Sequence, residues 1–212
     1  MPQVATIGMD IAKQVFQVHG ADSGGDIVLR KKLVRAEVLA FFASQPPCLV
    51  AMEACGGAHH WAREIVSLGQ EIKLIAPKYV KPFVKRQKND MADAEAICEA
   101  AQRPTMRFVT VKSETAQATG LVFRARDLLV RQRTQLVNAL RGHLMEHGWV
   151  VAKGSAHVAK LIEHVEDPTC QLPEAVRVTL AVMIASKHSM SRSSYWTERS
   201  TSAPRKTQSL VD

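Results

Sequence analysis

Four carboxylates stand where carboxylates are costly unless something uses them. Asp10 lies in the apolar run ATIGMDIA, at the centre of a predicted strand, and an ionised side chain in that setting needs a partner. Glu53 directly follows the short apolar run CLVAM, which has the character of a strand buried on both faces. Asp90 and Asp93 open the helical pattern DMADAEAICEAAQ, and their i, i+3 spacing puts both on one helical face. If the strands carrying Asp10 and Glu53 are neighbours and the helix lies across their carboxyl ends, three or four carboxylates converge. Hard divalent cations relieve the resulting repulsion, and Mg²⁺, with Mn²⁺ as a substitute, suits all-oxygen ligands. Two such ions stabilise the attacking and the leaving oxygen of a phosphodiester. Each residue also has an ordinary role open to it. Asp90 could be an N-cap, Asp93 a first-turn acid favoured by the helix dipole, and Glu53 a solvated strand end. Asp10 is the hardest to explain that way, and the joint placement of the four favours a metal site.

A basic run adjoins this set. Lys78, Lys81, Lys85, Arg86 and Lys88 fall within KYVKPFVKRQKN, a segment with a central proline that is expected to be a loop. Such a run suits phosphate contact, which adds affinity and salt dependence without sequence readout; the alternative is a solvated loop. The net charge of +8 is unevenly spread. Residues 1–76 are balanced, residues 77–150 carry thirteen basic and seven acidic side chains, and residues 151–212 carry eight and six. The excess in the middle third suggests a localised polyanion-binding face. Aromatic residues are only 5% of the 212, which argues against a stacking platform for single strands. Cys48, Cys55, Cys98 and Cys170 show no C-x-x-C pairing and suit small buried hydrophobes in a reducing compartment. His59 and His60 are adjacent, so they point to different faces of a helix and should share no metal. Trp61 has the character of a core residue.

The elements that must position these residues follow from periodicity. Residues 4–20 form a strand pair turning near Ala12 and Lys13, ADSGG is a turn, and residues 27–34 make a third strand, giving an antiparallel meander. RAEVLAFFAS is helical and is stopped by Pro46 and Pro47. CLVAM is the fourth strand; residues 58–68 form a helix closed by Gly69; EIKLIA is the fifth strand. The order is β-β-β-α-β-α-β. After the helix that begins at Asp90 and a short extended piece at 107–111, residues 113–148 form a long helical stretch. Its apolar stripe includes Leu121, Val122, Leu129, Leu136, Leu140 and Leu144, and it needs a covering partner. The arginines, among them Arg124 and Arg131, sit mostly off that stripe, where they either contact nucleic acid or keep an exposed face soluble. Short helices are expected at 156–165 and around 173–185. No apolar run approaches the ~20 residues of a membrane span, and the N-terminus has no basic head followed by an apolar stretch. A cytoplasmic protein is expected.

This β-β-β-α-β-α-β order, with its carboxylates, resembles the ribonuclease-H-like fold of the RuvC resolvases. Locally, GMDIAKQVF, MEACGGAHHWARE, LIAPKYVKPFVKRQKNDMADAEAI, QRPTMRFVTVK and RDLLVRQRTQLVNALRGHL are similar to the DEDD-type transposases of the insertion sequence 110 family, over about residues 4–150. The resemblance maps the family's Asp-Glu-Asp-Asp tetrad onto Asp10, Glu53, Asp90 and Asp93. It implies a Mg²⁺-dependent recombinase that cuts and rejoins DNA in transposition. It also implies oligomerisation through the long helix and, as a possible partner, a structured guide RNA encoded by the element. Family members continue into a second domain that supplies a nucleophilic serine. No equivalent follows residue 150, and Ser155, in AKGSAH, does not resemble that motif. The change to a Ser-, Thr- and Arg-rich composition near Ser186 suggests a shifted frame or a decayed element. The expectation is therefore a chain that keeps the metal site and lacks the strand-joining nucleophile.

The expected organisation is a mixed α/β sheet of ribonuclease-H-like type with flanking helices over 1–111. A long helical hairpin or coiled-coil segment follows at 112–150, then a helical remnant at 151–185 and a disordered tail at 186–212. Three competitors belong to other classes. An actin-like kinase would need a glycine and a hydroxyl residue just after Asp10 to cradle phosphate, and Ile11, Ala12 and Lys13 stand there instead. The others are a nucleic-acid-binding remnant without catalysis and a RuvC-like metal-dependent nuclease that uses water and no serine.

Overall fold

The computed structural model describes residues 3–84 and 90–201. Two compact units divide the chain, residues 1–114 and 115–212. The first unit is built on one six-stranded sheet. β1 (Thr6–Asp10), β2 (Val15–Ala21) and β3 (Ile27–Val34) form the antiparallel meander; β4 (Leu49–Glu53) and β5 (Glu71–Ile75) follow by crossovers; β6 is Phe108–Val109. The spatial order is β3-β2-β1-β4-β5-β6. β1 pairs parallel with β4, β4 parallel with β5, and β6 antiparallel with β5. An antiparallel meander whose first strand continues into a parallel β1-β4-β5 edge, with helices on both faces, is the ribonuclease-H-like arrangement. It places the chain's first strand at the centre of the sheet, so Asp10 ends a strand with neighbours on both sides.

The two faces are covered by different helices. α1 (Val38–Ala43) and α2 (Ala58–Ser67) close one face over Ile7, Met9, Phe16, Val18, Val50 and Met52. Trp61 is buried there, edge-on to Phe16 with centroids 5.0 Å apart, as expected of a core residue. The other face, with Ala51 and Ile75, is covered by α3 (Pro77–Val80) and α4 (Asp90–Ala101) through Val80, Ala96, Ile97 and Ala100. Between α1 and β4 the buried Gln70 acts as a polar tie. Its Oε1 accepts from the Cys48 amide at 2.9 Å, and its Nε2 donates to the Phe42 carbonyl at 3.1 Å.

Two expectations change. The segment 78–89 does not begin as a loop. α3 and a 3₁₀ turn at Lys81–Phe83 occupy its first half, each with a proline in its first two positions, where the ring's fixed φ suits a helical start. Residues 85–89 lie outside the described residues. In the second unit, α5 (Glu114–Glu146) is one uninterrupted helix of 33 residues, about 50 Å long at 1.5 Å per residue. α6 (Val158–Glu166) and α7 (Glu174–Thr201) follow it, so the segment expected to be disordered from 186 is helical as far as Thr201. From Glu174 to Thr201 the helix contains no glycine or proline to break it; residues 202–212 lie outside the described residues. Leu140 and Leu144 of α5 are buried with Leu161 and Val165 of α6 and with Leu180 and Ile184 of α7. Among the described residues no helix is long and apolar enough to cross a membrane.

Candidate metal centre

Strand parity decides which side chains meet. Gly8 and Asp10 share one face of β1, and Ala51 and Glu53 share one face of β4. That face carries α4, because Ala51 packs with Ala96, Ile97 and Ala100 of that helix. β1 and β4 run in register, Gly8 beside Ala51 and Met9 beside Met52. Asp10 and Glu53 are the next residues on their strands, each at the carboxyl end and each half-buried. They stand side by side at the sheet's centre.

Gly8 sets how closely the helix approaches. A Cβ at this position would lie 2.5 Å from the Cys98 amide nitrogen and 2.8 Å from Cys98 Cβ, and would strike the Ala94 carbonyl. Only glycine allows α4 to rest its backbone on β1. This contact brings the start of α4 to the carboxyl ends of the strands. Asp93, one residue before Ala94, is half-buried.

Electrostatics report the convergence. The Glu53 carboxyl is pushed up from its ordinary value, first by burial and then by the negative charge of Asp93, with Lys81 pulling it back down. The Cys55 thiol, two residues on, is raised first by burial and then by the carboxylates of Glu53 and Asp10. Glu53 therefore senses Asp93, and Cys55 senses both Glu53 and Asp10. Among the described residues, no three carboxylate, histidine or cysteine side chains come close enough to hold a metal ion together. Asp90 begins α4 one turn before Asp93, and its side chain lies outside the described residues. What fits a hard cation here is the donor type, all carboxylate oxygen, and the repulsion already registered at Glu53.

The basic residues divide three ways. Lys78 and Lys81 are exposed on α3 and the 3₁₀ turn; Lys78 Nζ lies 4.7 Å from the Tyr79 ring centroid, and Lys81 is close enough for its charge to act on Glu53. Lys85, Arg86 and Lys88 lie outside the described residues. Arg124 and Arg131 are exposed on α5 in the second unit. His59 and His60 go separate ways, as their adjacency implies. His59 Nδ1 accepts from the Lys112 amide at 3.2 Å, and His60 lies 3.9 Å from Glu64.

Two contributors were not read from the sequence. Gly8 had a signal available, a glycine two residues before an aspartate on an apolar strand. Cys55, two residues past Glu53, had none, because the Asp10 charge that acts on its thiol comes from β1.

A transposase family model of the DEDD, IS110 type matches residues 7–148. The protein y4pF/y4sB of Sinorhizobium fredii, which carries a transposase name, is 51% identical over 181 residues, covering 85% of this chain and 46% of its own length. The transposase for insertion sequence element IS1328 of Yersinia enterocolitica is 47% identical over 161 residues, 76% of this chain and 48% of that protein. Among solved structures, the T. thermophilus RuvC in complex with a Holliday junction substrate aligns with a TM-score of 0.38 at 13% identity, covering 50% of this chain and all of that one. The chain spans about half the length of the curated relatives it matches.

Proposed function

This chain belongs to the DEDD transposase family of insertion sequence 110, and on that premise we propose that it carries the metal-dependent DNA-cutting half of a transposase. The observation that carries the reading is the parallel pairing of β1 with β4, which sets Asp10 and Glu53 side by side on the face where α4 rests on Gly8, with the charge of Asp93 acting on Glu53. Asp10, Glu53, Asp90 and Asp93 would hold Mg²⁺, or Mn²⁺ in its place. When bound, the cation supplies charge stabilisation at a phosphodiester undergoing cleavage. Until it binds, Glu53 keeps its proton to a higher pH than an ordinary carboxyl, which limits the repulsion. Lys78 and Lys81, with Lys85, Arg86 and Lys88 beyond them, would hold the DNA backbone by charge and leave sequence choice to another component. Arg124 and Arg131, exposed on α5, would make nucleic-acid contacts of their own, and a structured RNA encoded by the element is the proposed guide. The reaction would take place in the cytoplasm, where the element's DNA lies.

Thermal melting tests the metal site. Mn²⁺ at about a hundred times its dissociation constant should add about 2.7 kcal/mol to the folded state. Asp10→Asn combined with Asp93→Asn should abolish that gain. A wild type indifferent to millimolar Mn²⁺ would remove the metal-centre reading and leave a nucleic-acid-binding protein.

Oligomerisation is proposed through the first half of α5, where Leu121 and Leu128, seven residues apart and so on one face, are 62% and 49% exposed. An apolar face of this extent on a helix this long suits a second copy of the chain. Light scattering should give at least twice the 23.4 kDa chain mass, and a monodisperse monomer would overturn it.

A further inference from the structure

The sheet face that carries the carboxylates does not end at Asp10. Residues directly opposite each other in an antiparallel pair share one face. Asp10 of β1 stands opposite Gln17 of β2, and Gln17 stands opposite Lys32 of β3. Glu53 of β4 flanks Asp10 on the other side, so one row runs Glu53, Asp10, Gln17, Lys32 across four strands. With strands about 4.8 Å apart, the Lys32 backbone lies about 10 Å from that of Asp10. The neighbours of Lys32 agree with this sidedness. Lys31 turns to the opposite face, where its Nζ lies 5.2 Å from the ring centroid of Phe41 in α1. Arg30 returns to the face of Lys32 and lies 3.8 Å from Glu95 of α4.

α4 decides which part of this face is open. The adjacent row, Gly8, His19 and Arg30, lies under the helix. Gly8 has the α4 backbone packed on it, His19 is 3% exposed, and Arg30 is paired with Glu95. The row of Asp10 lies past that cover. Asp10 and Gln17 are half-buried, and Lys32 is exposed. Beyond Glu53 the row meets Ile75 of β5, which packs with Val80 of α3. Among the described residues, the carboxylates are thus bounded by α4 and α3, and the face opens over β2 and β3.

The groups along that opening suit a sugar–phosphate backbone. Gln17 offers an amide N–H donor without charge, and Lys32 offers an ammonium on the outermost strand of the sheet. Such donors fix the register of a strand and read no bases. We propose that Gln17 and Lys32 hold the backbone of the DNA strand being cut, which crosses β1, β2 and β3 with its scissile phosphate at the carboxylates. This role rests on the metal-centre reading and adds to it the path by which the strand leaves the site.

The full chain is tested by binding of a labelled single-stranded oligonucleotide between about 50 and 200 mM salt, with melting in Mn²⁺ run beside it. Lys32→Gln should bind about tenfold more weakly. Its salt slope should fall by about 0.7, the share of one phosphate contact on a single strand. Lys32→Arg should restore binding. Gln17→Met keeps the side-chain length and removes the amide, so it should cost about threefold in affinity with no change in slope. Lys31→Gln removes the same charge from the same strand on the opposite face, and it should bind as wild type does. All four variants should keep the Mn²⁺ rise in melting midpoint. If Gln17→Met lowers the ligand-free midpoint, the comparison of Lys31→Gln with Lys32→Gln, both at exposed positions, decides alone. Equal losses in those two would mean that only the net charge of β3 is felt, and would overturn the path. A chain that responds to Mn²⁺ but whose Lys32→Gln variant binds DNA as wild type does would overturn the path and leave the metal centre standing. A wild type indifferent to Mn²⁺ would overturn both.

Discussion

Glu53 ties stability to pH in a direction that can be read directly. Its carboxyl is raised by burial and by Asp93, so the metal-free folded chain holds that proton more tightly than the unfolded chain does. The stabilisation is fully present below the ordinary carboxylate range and is lost as pH rises through the raised value. Glu53→Gln removes the titration. Its melting midpoint should match wild type at pH 4 and exceed it by about 1–2 °C at neutral pH, a small gain because the group is partly solvated and screened. Asp93→Asn removes the second cause and should narrow the same difference. Equal pH profiles for wild type and Glu53→Gln would mean that Glu53 lies outside the pH-sensitive set. At this scale the sequence was legible where a costly residue type stood in an apolar run, as at Asp10. It was silent about Cys55, because the Asp10 charge that acts on its thiol comes from β1.

Elements are legible in sequence when one periodicity dominates, and the packing between them is not. The meander, β4, α2, β5 and α4 follow from alternation, apolar runs and glycine stops. α3 and the 3₁₀ turn after it were hidden by Pro77 and Pro82, which look like loop residues until they are seen to open helical turns. The far half of α7 was hidden by composition, since a Ser- and Arg-rich stretch lacks an apolar stripe yet contains nothing that ends a helix already begun. The approach of α4 to β1 was also hidden, because the demand on Gly8 arises only when the Cys98 backbone is set against it. Gly8→Ala should therefore cost about 2–3 kcal/mol in urea unfolding, since helix backbone rather than a mobile side chain must give way. It should weaken the Mn²⁺ response as well, because the same contact positions Asp93. A Gly8→Ala chain with wild-type stability would show that α4 can lift from the strand without loss.

At the scale of the whole molecule, two separate cores divide the work. The first unit buries both faces of its sheet and carries the carboxylates, and the second buries Leu140 and Leu144 against α6 and α7. Cores that share no residues should fail separately. Leu144 is fully buried, so Leu144→Ala should cost about 2–5 kcal/mol through lost burial and the cavity it leaves. That cost should appear in the transition of the second unit alone. The expected calorimetric trace has a low-melting component that moves down with Leu144→Ala and a second component that keeps its wild-type midpoint and still rises with Mn²⁺. Gly8→Ala should do the reverse, lowering the Mn²⁺-sensitive component and leaving the other in place. If Leu144→Ala instead lowers the Mn²⁺-sensitive component by the full amount, the units fold as one body, and the metal centre depends on packing in the helical unit. Separate failure would mean that the helical unit can be weakened by substitution without loss of metal binding, which is the condition under which the two units' contributions to DNA handling can be measured one at a time.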